Sequence, residues 1–590
     1  MNIVAEIKPL IISALKKLYQ QDFDETGLTI NSTKPEFEGD YTLVLFSFVK
    51  QLKKSPEQLG QEIGEELLAA NKELFSSYNV IKGFLNLTIA DNYWLQFLQK
   101  NFANNSFGKS VASNKKVMVE YSSPNTNKPL HLGHLRNIFL GWSVAELLKQ
   151  NGFDVVKSCV VNDRGIHICK SMIAWQQFSN GETPASTNTK GDHFVGDYYV
   201  KFNDEYKKQV TELIAAGMSK DDAEKEAPIM KGTQQMLLDW ELGKEDVIQL
   251  WKKMNSWVYE GFDATYKKIG ADFNKTYYES ETYLLGKKFV DEGLKQGVFF
   301  KKEDGSIWID LTEEGLDQKL VLRKDGTSVY ITQDLGLAQQ KFDEYQYEQS
   351  IYVIADEQNY HMKVLQLILQ KLGKKYANGI YHLSYGMVEL PSGRMKSREG
   401  TVVDADDLVA EMISVAKKKT EELGKVKDFN EDELEELYQT LALGALKFYL
   451  LRVDPKKKMI FNPEESIDFH GFTGPFVQYT HARIKSILRK EKPAGNTNSE
   501  ALLKLEKGLL VKLEQYPVAI EQAVVEHNPS VIAIYLFELA KSFNHFYTEL
   551  SIMNAESASK KEIRLQIAQL TSYVINSGMG LLGIRVPERM

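Results

Sequence analysis

The sequence predicts a multidomain α/β protein built around a parallel sheet with crossover helices. Three observations predict it. The chain has 590 residues, too many for one core. Short apolar segments alternate with helical periods from Val117 onward. The last third is spaced for helices almost throughout. A hydrophobic content of 43% with 26% charged residues excludes global disorder and fibrous architectures.

Residues 1–110 read as a small α/β unit. MNIVAEIKPLIISALKKLYQ sets Glu6, Lys8, Lys16 and Lys17 into its apolar pattern, which predicts an amphipathic helix rather than a signal peptide. A polar loop at 37–41, a helix at 56–70 and a strand at 83–89 follow, and the polar stretch 104–116 reads as a linker.

Residues 111–427 carry the sheet texture. VMVEY runs through a polar turn into HLGHLRNIFLGWSVAELLKQNG, where Leu135, Ile138, Phe139 and Trp142 mark one helical face and Asn151-Gly152 the stop. DVVKSCVV is the next strand. The polar, helix-rich stretch at about 176–275 reads as an insertion splitting the sheet. Strand texture returns at SVYITQDL, SIYVIAD and IYHLSYGMVEL, with the helix HMKVLQLILQKLG between the last two. From 428 to 590 the spacing of Leu434, Leu437, Leu441, Ala445 and Phe448, and of Leu502, Leu505, Leu509 and Leu513, fits a helix bundle.

The net charge of -8 argues against a protein that merely coats nucleic acid. Locally the sign reverses. Residues 451–493 hold nine Lys/Arg against five Asp/Glu, either a solvated helical face or a nucleic-acid patch. Cys159 and Cys169 are too few for a disulfide framework or a cysteine-rich zinc site and fit a reducing, cytoplasmic location. No uncharged apolar run of 18 residues occurs, so no membrane span is expected.

The most informative segment is SSPNTNKPLHLGHLRN, residues 122–137. His131 and His134, three apart in the first turn of a helix, project to one side where free N–H groups and the helix dipole favour phosphate. Gly133 removes a side chain between them and lets a flat base approach the backbone. An isolated H-x-x-H pair also arises as core histidines or as metal ligands, but no third ligand stands nearby. A second segment, SGRMKSREGTVV at 392–403, is a glycine-bounded, cation-rich loop; alone it would also read as an exposed basic turn.

Together these segments resemble the H-x-G-H and mobile-loop signatures of class I aminoacyl-tRNA synthetases, and the chain resembles the arginyl members over nearly its whole length. The resemblance implies a Rossmann-type catalytic domain with a helical insertion, an N-terminal additional domain touching the tRNA elbow, and an all-helical anticodon-binding domain. It implies ATP-dependent activation of L-arginine and transfer to tRNA(Arg), with ATP as its Mg²⁺ complex, no prosthetic group, no resident metal and a monomeric chain. His131, His134, Lys128 and Lys396 are the expected catalytic residues, and Gly133, Asn137, Arg394, Met395, Ser397 and Arg398 the expected ATP contacts. Ser397 departs from the pattern, standing where the loop's second lysine belongs, so that role passes to Lys396, Arg394, Arg398 or Lys128.

The family's arginine-binding positions fall on Asn125, Glu279, Tyr330, Asp334 and Gln358, although Tyr278 replaces the glycine before the glutamate. Tyr330 and Asp334 share a face if their segment is helical. GPFVQYTHARIKSI, AKSFNHFY and GIRVPERM resemble the anticodon-binding helices, placing tRNA contacts at Tyr479, Arg483 and Met590. GFLNLTI places elbow contacts at Asn86 and Phe84. A small nucleotidyltransferase would share the H-x-G-H turn without needing the helical last third, and a catalytically silent tRNA-binding relative is the other alternative. Cysteine is a poor alternative substrate, since enzymes for it resemble zinc proteins and this chain lacks the thiols.

Overall fold

A computed structural model describes residues 3–34, 36–389, 391, 403–424, 428–495 and 500–590. At its centre, among the described residues, lies a five-stranded, wholly parallel sheet: β5 (Lys116–Glu120), β6 (Asp154–Val161), β7 (Lys275–Tyr278), β11 (Gln349–Ala355) and β12 (Ile380–Tyr385). Its spatial order is β12-β11-β5-β6-β7. The chain leaves β5 outward through β6 and β7, then returns to build β11 and β12 on the other side. That reversal makes a topological switch point between β5 and β11, and in open α/β sheets ligands bind at the carboxyl ends of the strands there.

Both faces of the sheet are buried, as parallel pairing requires. Val117, Val119 and Val155 point into one hydrophobic core, and the alternating Met118 and Val156 into another. The helix Leu132–Gln150 covers the first face, and the helices Tyr330–Tyr345 and Asn359–Lys371 the second. Gly152 ends the first of these at φ +88°, where a side chain would fall 2.1 Å from the Val111 carbonyl.

The insertion lies between β6 and β7 and is helical, its longest members being Gly191–Ala215 and Glu245–Ile269. Three short antiparallel strands, β8 (Phe299–Lys301), β9 (Ile307–Ile309) and β10 (Lys319–Leu322), lie between β7 and the helix Tyr330–Tyr345. The expected strand at SVYITQDL is corrected by that helix, which starts at Tyr330 and buries Ile331, Thr332 and Leu335. A short apolar run cannot separate strand from buried helix, and here the helical continuation to Tyr345 decides.

The N-terminal unit is more sheet-like than its sequence suggests. Beside β4 (Phe84–Ile89), which the pattern anticipates, stand β1 (Ile30–Ser32), β2 (Tyr41–Val44) and β3 (Phe75–Ile81), antiparallel in the order β1-β2-β4-β3. Past the two-residue pair β13 (Val388–Glu389) and β14 (Met459–Ile460), the named elements among the described residues are all helices, the last ending at Leu581. No helix among the described residues is long and apolar enough to cross a membrane.

Candidate active site

The crevice at the switch point is lined by residues that follow the carboxyl ends of the parallel strands. Asn125 follows β5, Asp163 and Arg164 follow β6, Glu279 follows β7 and Gln358 follows β11. A backbone bridge between Asn125 and Asn162 ties the first two exits together. Strain is concentrated here: Ser122 and Ser123, leaving β5, hold φ of 79° and 44°, a conformation costly for residues with side chains. Asn137 secures them, accepting from the Ser122 N–H at 2.6 Å and donating to the Val353 carbonyl at 2.7 Å and the Tyr385 hydroxyl at 3.2 Å. Its amide is buried and committed to strand exits.

His131 caps the helix Leu132–Gln150. The His131 ring accepts the Gly133 N–H at Nδ1 (3.1 Å), and the His134 ring accepts the His131 N–H at Nδ1 (3.1 Å). A neutral ring that accepts at Nδ1 carries its proton on Nε2, so both imidazoles are poised as Nε2 donors. Both are neutral. Burial, with the Lys128 charge beside it, pulls His131 down to about 3, and burial with the neighbouring ring and Lys128 holds His134 well below its usual value. Their centroids lie 3.9 Å apart. A side chain at Gly133 would sit 3.0 Å from the His131 ring.

The loop candidates Arg394, Met395, Lys396, Ser397 and Arg398 lie outside the described residues. The chain re-enters at Val403 against the signature turn: the Leu132 N–H donates to the Val403 carbonyl and the Ala405 N–H to the Leu130 carbonyl, both at 3.0 Å.

Two carboxylates dominate the other side. Glu279 is half-buried and, among the described residues, its carboxylate has no hydrogen-bond partner. Burial lifts it to about 7, with Asp163 and Asp334 adding to the rise and Arg164 opposing it. Asp334 lies one helical turn beyond the exposed Tyr330 and bonds the His361 Nε2 at 2.6 Å, which raises the histidine's pKa against the effect of burial. Gln358 and Asn125 are exposed.

Residues not anticipated from the sequence support this wall. Asp163, 1% exposed, accepts from the Ser280 N–H (2.9 Å), the Ser280 hydroxyl (2.7 Å) and the Tyr259 hydroxyl (2.9 Å), fixing the turn that carries Glu279. Arg164 lies over the Tyr283 and Trp240 rings, 3.9 and 5.0 Å from their centroids, and pairs with Glu241. The polar triplet Asn-Asp-Arg at the end of β6, before Gly165 and a helix, was the signal that could have found them.

A sequence profile described as "tRNA synthetases class I (R), catalytic domain" matches residues 97–462, more than half of the chain. The chain belongs to the arginyl-tRNA synthetase family. The same family's N-terminal domain profile matches residues 5–89 and the "DALR anticodon binding domain" profile residues 477–590. The chain is 51% identical to the arginine–tRNA ligase of Bacteroides thetaiotaomicron and 49% to that of Amoebophilus asiaticus, with all of each chain covered. Among solved structures, Thermus thermophilus arginyl-tRNA synthetase superposes with a TM-score of 0.81 at 25% identity, covering 99% of this chain and 100% of that one. The Plasmodium falciparum arginyl-tRNA synthetase shares the fold at a TM-score of 0.76, covering 100% and 99%.

The family's tRNA positions are distributed unevenly. Tyr479 and Arg483 share the helix Gly474–Lys490, where the guanidinium lies 4.9 Å from the Tyr479 ring centroid and 5.6 Å from that of Tyr547 and bonds Asn544 at 2.8 Å. Met590 packs against the same core. In the N-terminal unit Phe84 is 37% exposed and meets Phe46 edge-on. Asn86, the other expected elbow contact, is 1% exposed, accepts from Thr42 at 2.6 Å and donates to Asn79 at 2.8 Å. Facing inward from the middle of β4, its amide satisfies the sheet's own polar groups.

Proposed function

We propose that the chain is an arginine–tRNA ligase in which Glu279 and Asp334 select the guanidinium of L-arginine while His131 and His134 bind the phosphates of ATP. The observation that carries this reading is Glu279, a half-buried carboxylate with no hydrogen-bond partner among the described residues, in the switch-point crevice beside a second acid. A planar cation with several N–H donors is the ligand such a pair accepts. Tyr330, Gln358 and Asn125 complete the arginine site.

The chemistry needs no protein nucleophile. The substrate carboxylate, already ionised, attacks the α-phosphorus of Mg²⁺-bound ATP in line; an O–P bond forms to it and the bond to pyrophosphate breaks. A hydroxyl of the terminal ribose at the tRNA 3′ end then attacks the arginyl carbonyl of the adenylate, losing its proton as the ester forms and AMP leaves. The Nε2–H groups of His131 and His134 donate to phosphate oxygens as charge builds up. Lys128 shares the triphosphate with Lys396, Arg394 and Arg398 of the loop, whose Met395 and Ser397 border the nucleotide. Tyr479, Arg483 and Met590 meet the anticodon and Phe84 the elbow, with Asn86 stiffening the strand beneath.

Charging unfractionated tRNA with each amino acid in turn tests the reading, with arginine alone expected to be incorporated. His134→Ala should lower adenylate formation by about 10²–10³-fold while tRNA affinity holds. A chain that binds tRNA but charges it with nothing, or a fully active His134→Ala, would overturn it.

A further inference from the structure

Beside the candidate phosphate site, the insertion meets the chain in a cluster of charges that the reaction does not use. Asp192, His193 and Asp406 bring ligand atoms within 4.8 Å of one another, close enough for a metal ion. A lysine already supplies the cation: the Lys190 ammonium lies 3.0 Å from Asp192, 2.7 Å from Asp406 and 2.6 Å from the Thr265 hydroxyl. The His193 Nε2 lies 3.3 Å from Asp404 and 3.4 Å from Asp406. Asp192 is fully buried, and the helix Glu245–Ile269 approaches it so closely at Gly261 that a side chain there would meet its carboxylate at 2.3 Å.

These carboxylates belong to the segment that brackets the first signature histidine. Asp404 pairs with His131 across an antiparallel bridge, and the hydrogen bonds of Val403 and Ala405 fall on either side of His131, at Leu132 and Leu130. The Asp404 carboxylate also caps the next helix, accepting from the N–H groups of Asp406 (2.8 Å) and Asp407 (3.1 Å). The insertion touches the turn from the other flank as well, since a side chain at Gly196 would lie 2.8 Å from Pro129.

We propose that Lys190 and His193 are positioning residues for the signature turn: by holding Asp404 and Asp406 they fix the backbone on both sides of His131. The proposal rests on reading His131 and His134 as phosphate ligands. The Asp406 carboxylate, 3.4 Å from the ring's Nε2, raises the pKa of His193 against its burial, in keeping with a charged imidazolium. Removing such a donor frees the ladder to drift, and small misplacements cost rate more than affinity.

The test is single-turnover arginyl-adenylate synthesis by the full-length chain with ATP, arginine and tRNA saturating, alongside the arginine KM and thermal melting. His193→Ala and Asp406→Asn should each slow synthesis by about tenfold, leaving the arginine KM within about twofold and melting nearly unchanged. His193→Gln, which retains a donor, should recover most of the rate. An unchanged rate in His193→Ala overturns the proposal, as does a loss that follows a matching fall in melting temperature and is not recovered by glutamine. His134→Ala in the same assay separates the two readings. If it is slow while His193→Ala is not, only the positioning role falls; if neither is slow, the phosphate reading falls and takes this one with it.

Discussion

At the scale of single residues, the decisive feature is a carboxylate kept without a hydrogen-bond partner among the described residues. Glu279 titrates at about 7 rather than near 4.5, so just below neutral pH most of it is protonated in the free enzyme. With Glu279 in its proposed role as a guanidinium partner, arginine binds the ionised form, and its KM should rise as pH falls through 7, by about tenfold between pH 8 and 6. A flat KM profile over that range would remove Glu279 from the substrate site. The same shift has a cost in stability. A folded-state pKa above the unfolded one stabilises the fold below about pH 4.5, and that contribution is lost as pH rises through 7. Glu279→Gln should accordingly gain on the wild type in urea unfolding at pH 8 compared with pH 5, by on the order of 1–3 kcal/mol, while losing arginine. The phosphate side yields a different residue-scale test. If Lys128 and Lys396 share one triphosphate, each alanine variant should slow activation and the double variant should depart from additivity; strictly additive losses in activation free energy would count against sharing.

At the scale of elements, the helix Tyr330–Tyr345 determines what Asp334 can do. It turns Tyr330 and Asp334 to one side, and the buried ion pair between its Lys341 and Glu120, at the end of β5, ties it to the strand before the signature turn. Asp334→Asn keeps this geometry but removes a charge, so the arginine KM should rise about 10- to 100-fold with the ATP KM little changed. Steady-state pyrophosphate exchange resolves the two constants, and a change confined to ATP would contradict the assignment. The strong periodic elements were legible in the sequence: the helix Leu132–Gln150 with its Asn151-Gly152 stop, the strand Asp154–Val161 and the helix Pro56–Ala70. The helix at Tyr330 was misread because its first turn is as apolar as a strand. The three-residue β1, β8 and β9 were too short for any period to show. Motif residues could be recognised in sequence, but their supports could not. Asp163, His361 and His193 act through partners between 27 and 213 residues away, at Ser280, Asp334 and Asp406, a proximity that only the folded sheet and insertion create.

At the scale of the whole molecule, the units converge on the helix that begins with the signature. Its Ser143 donates to the Leu581 carbonyl at 2.7 Å, and Lys447, buried over Phe139, donates to the Gly583 carbonyl at 2.6 Å. From there the tail runs along the helix Gly474–Lys490: Gln478 donates to the Arg585 carbonyl (2.7 Å), the His481 ring meets the Pro587 carbonyl (3.0 Å) and Arg489 donates to the Glu588 carbonyl (2.8 Å). The N-terminal unit docks on the same helical domain through Glu514, which accepts from the Ile3 N–H and the Tyr41 hydroxyl. Gln478 is fully buried and also donates to the Thr440 carbonyl at 3.0 Å, so it joins the tail to two helices. Gln478→Leu keeps the volume but frees both carbonyls, each loss costing about 1–3 kcal/mol. It also removes a buried amide oxygen with no partner among the described residues, which returns a similar amount for one group, so the net destabilisation should be about 1–3 kcal/mol. The functional effect should be larger than that figure suggests, because the released tail carries Met590, which is proposed to meet the anticodon with Tyr479 and Arg483. We expect the KM for tRNA to rise several-fold while the KM values for arginine and ATP stay put, since the switch-point crevice is built from other strands. Aminoacylation with each substrate varied in turn measures this, and a parallel rise in all three constants would show that the variant loosens the whole fold instead of the tRNA face.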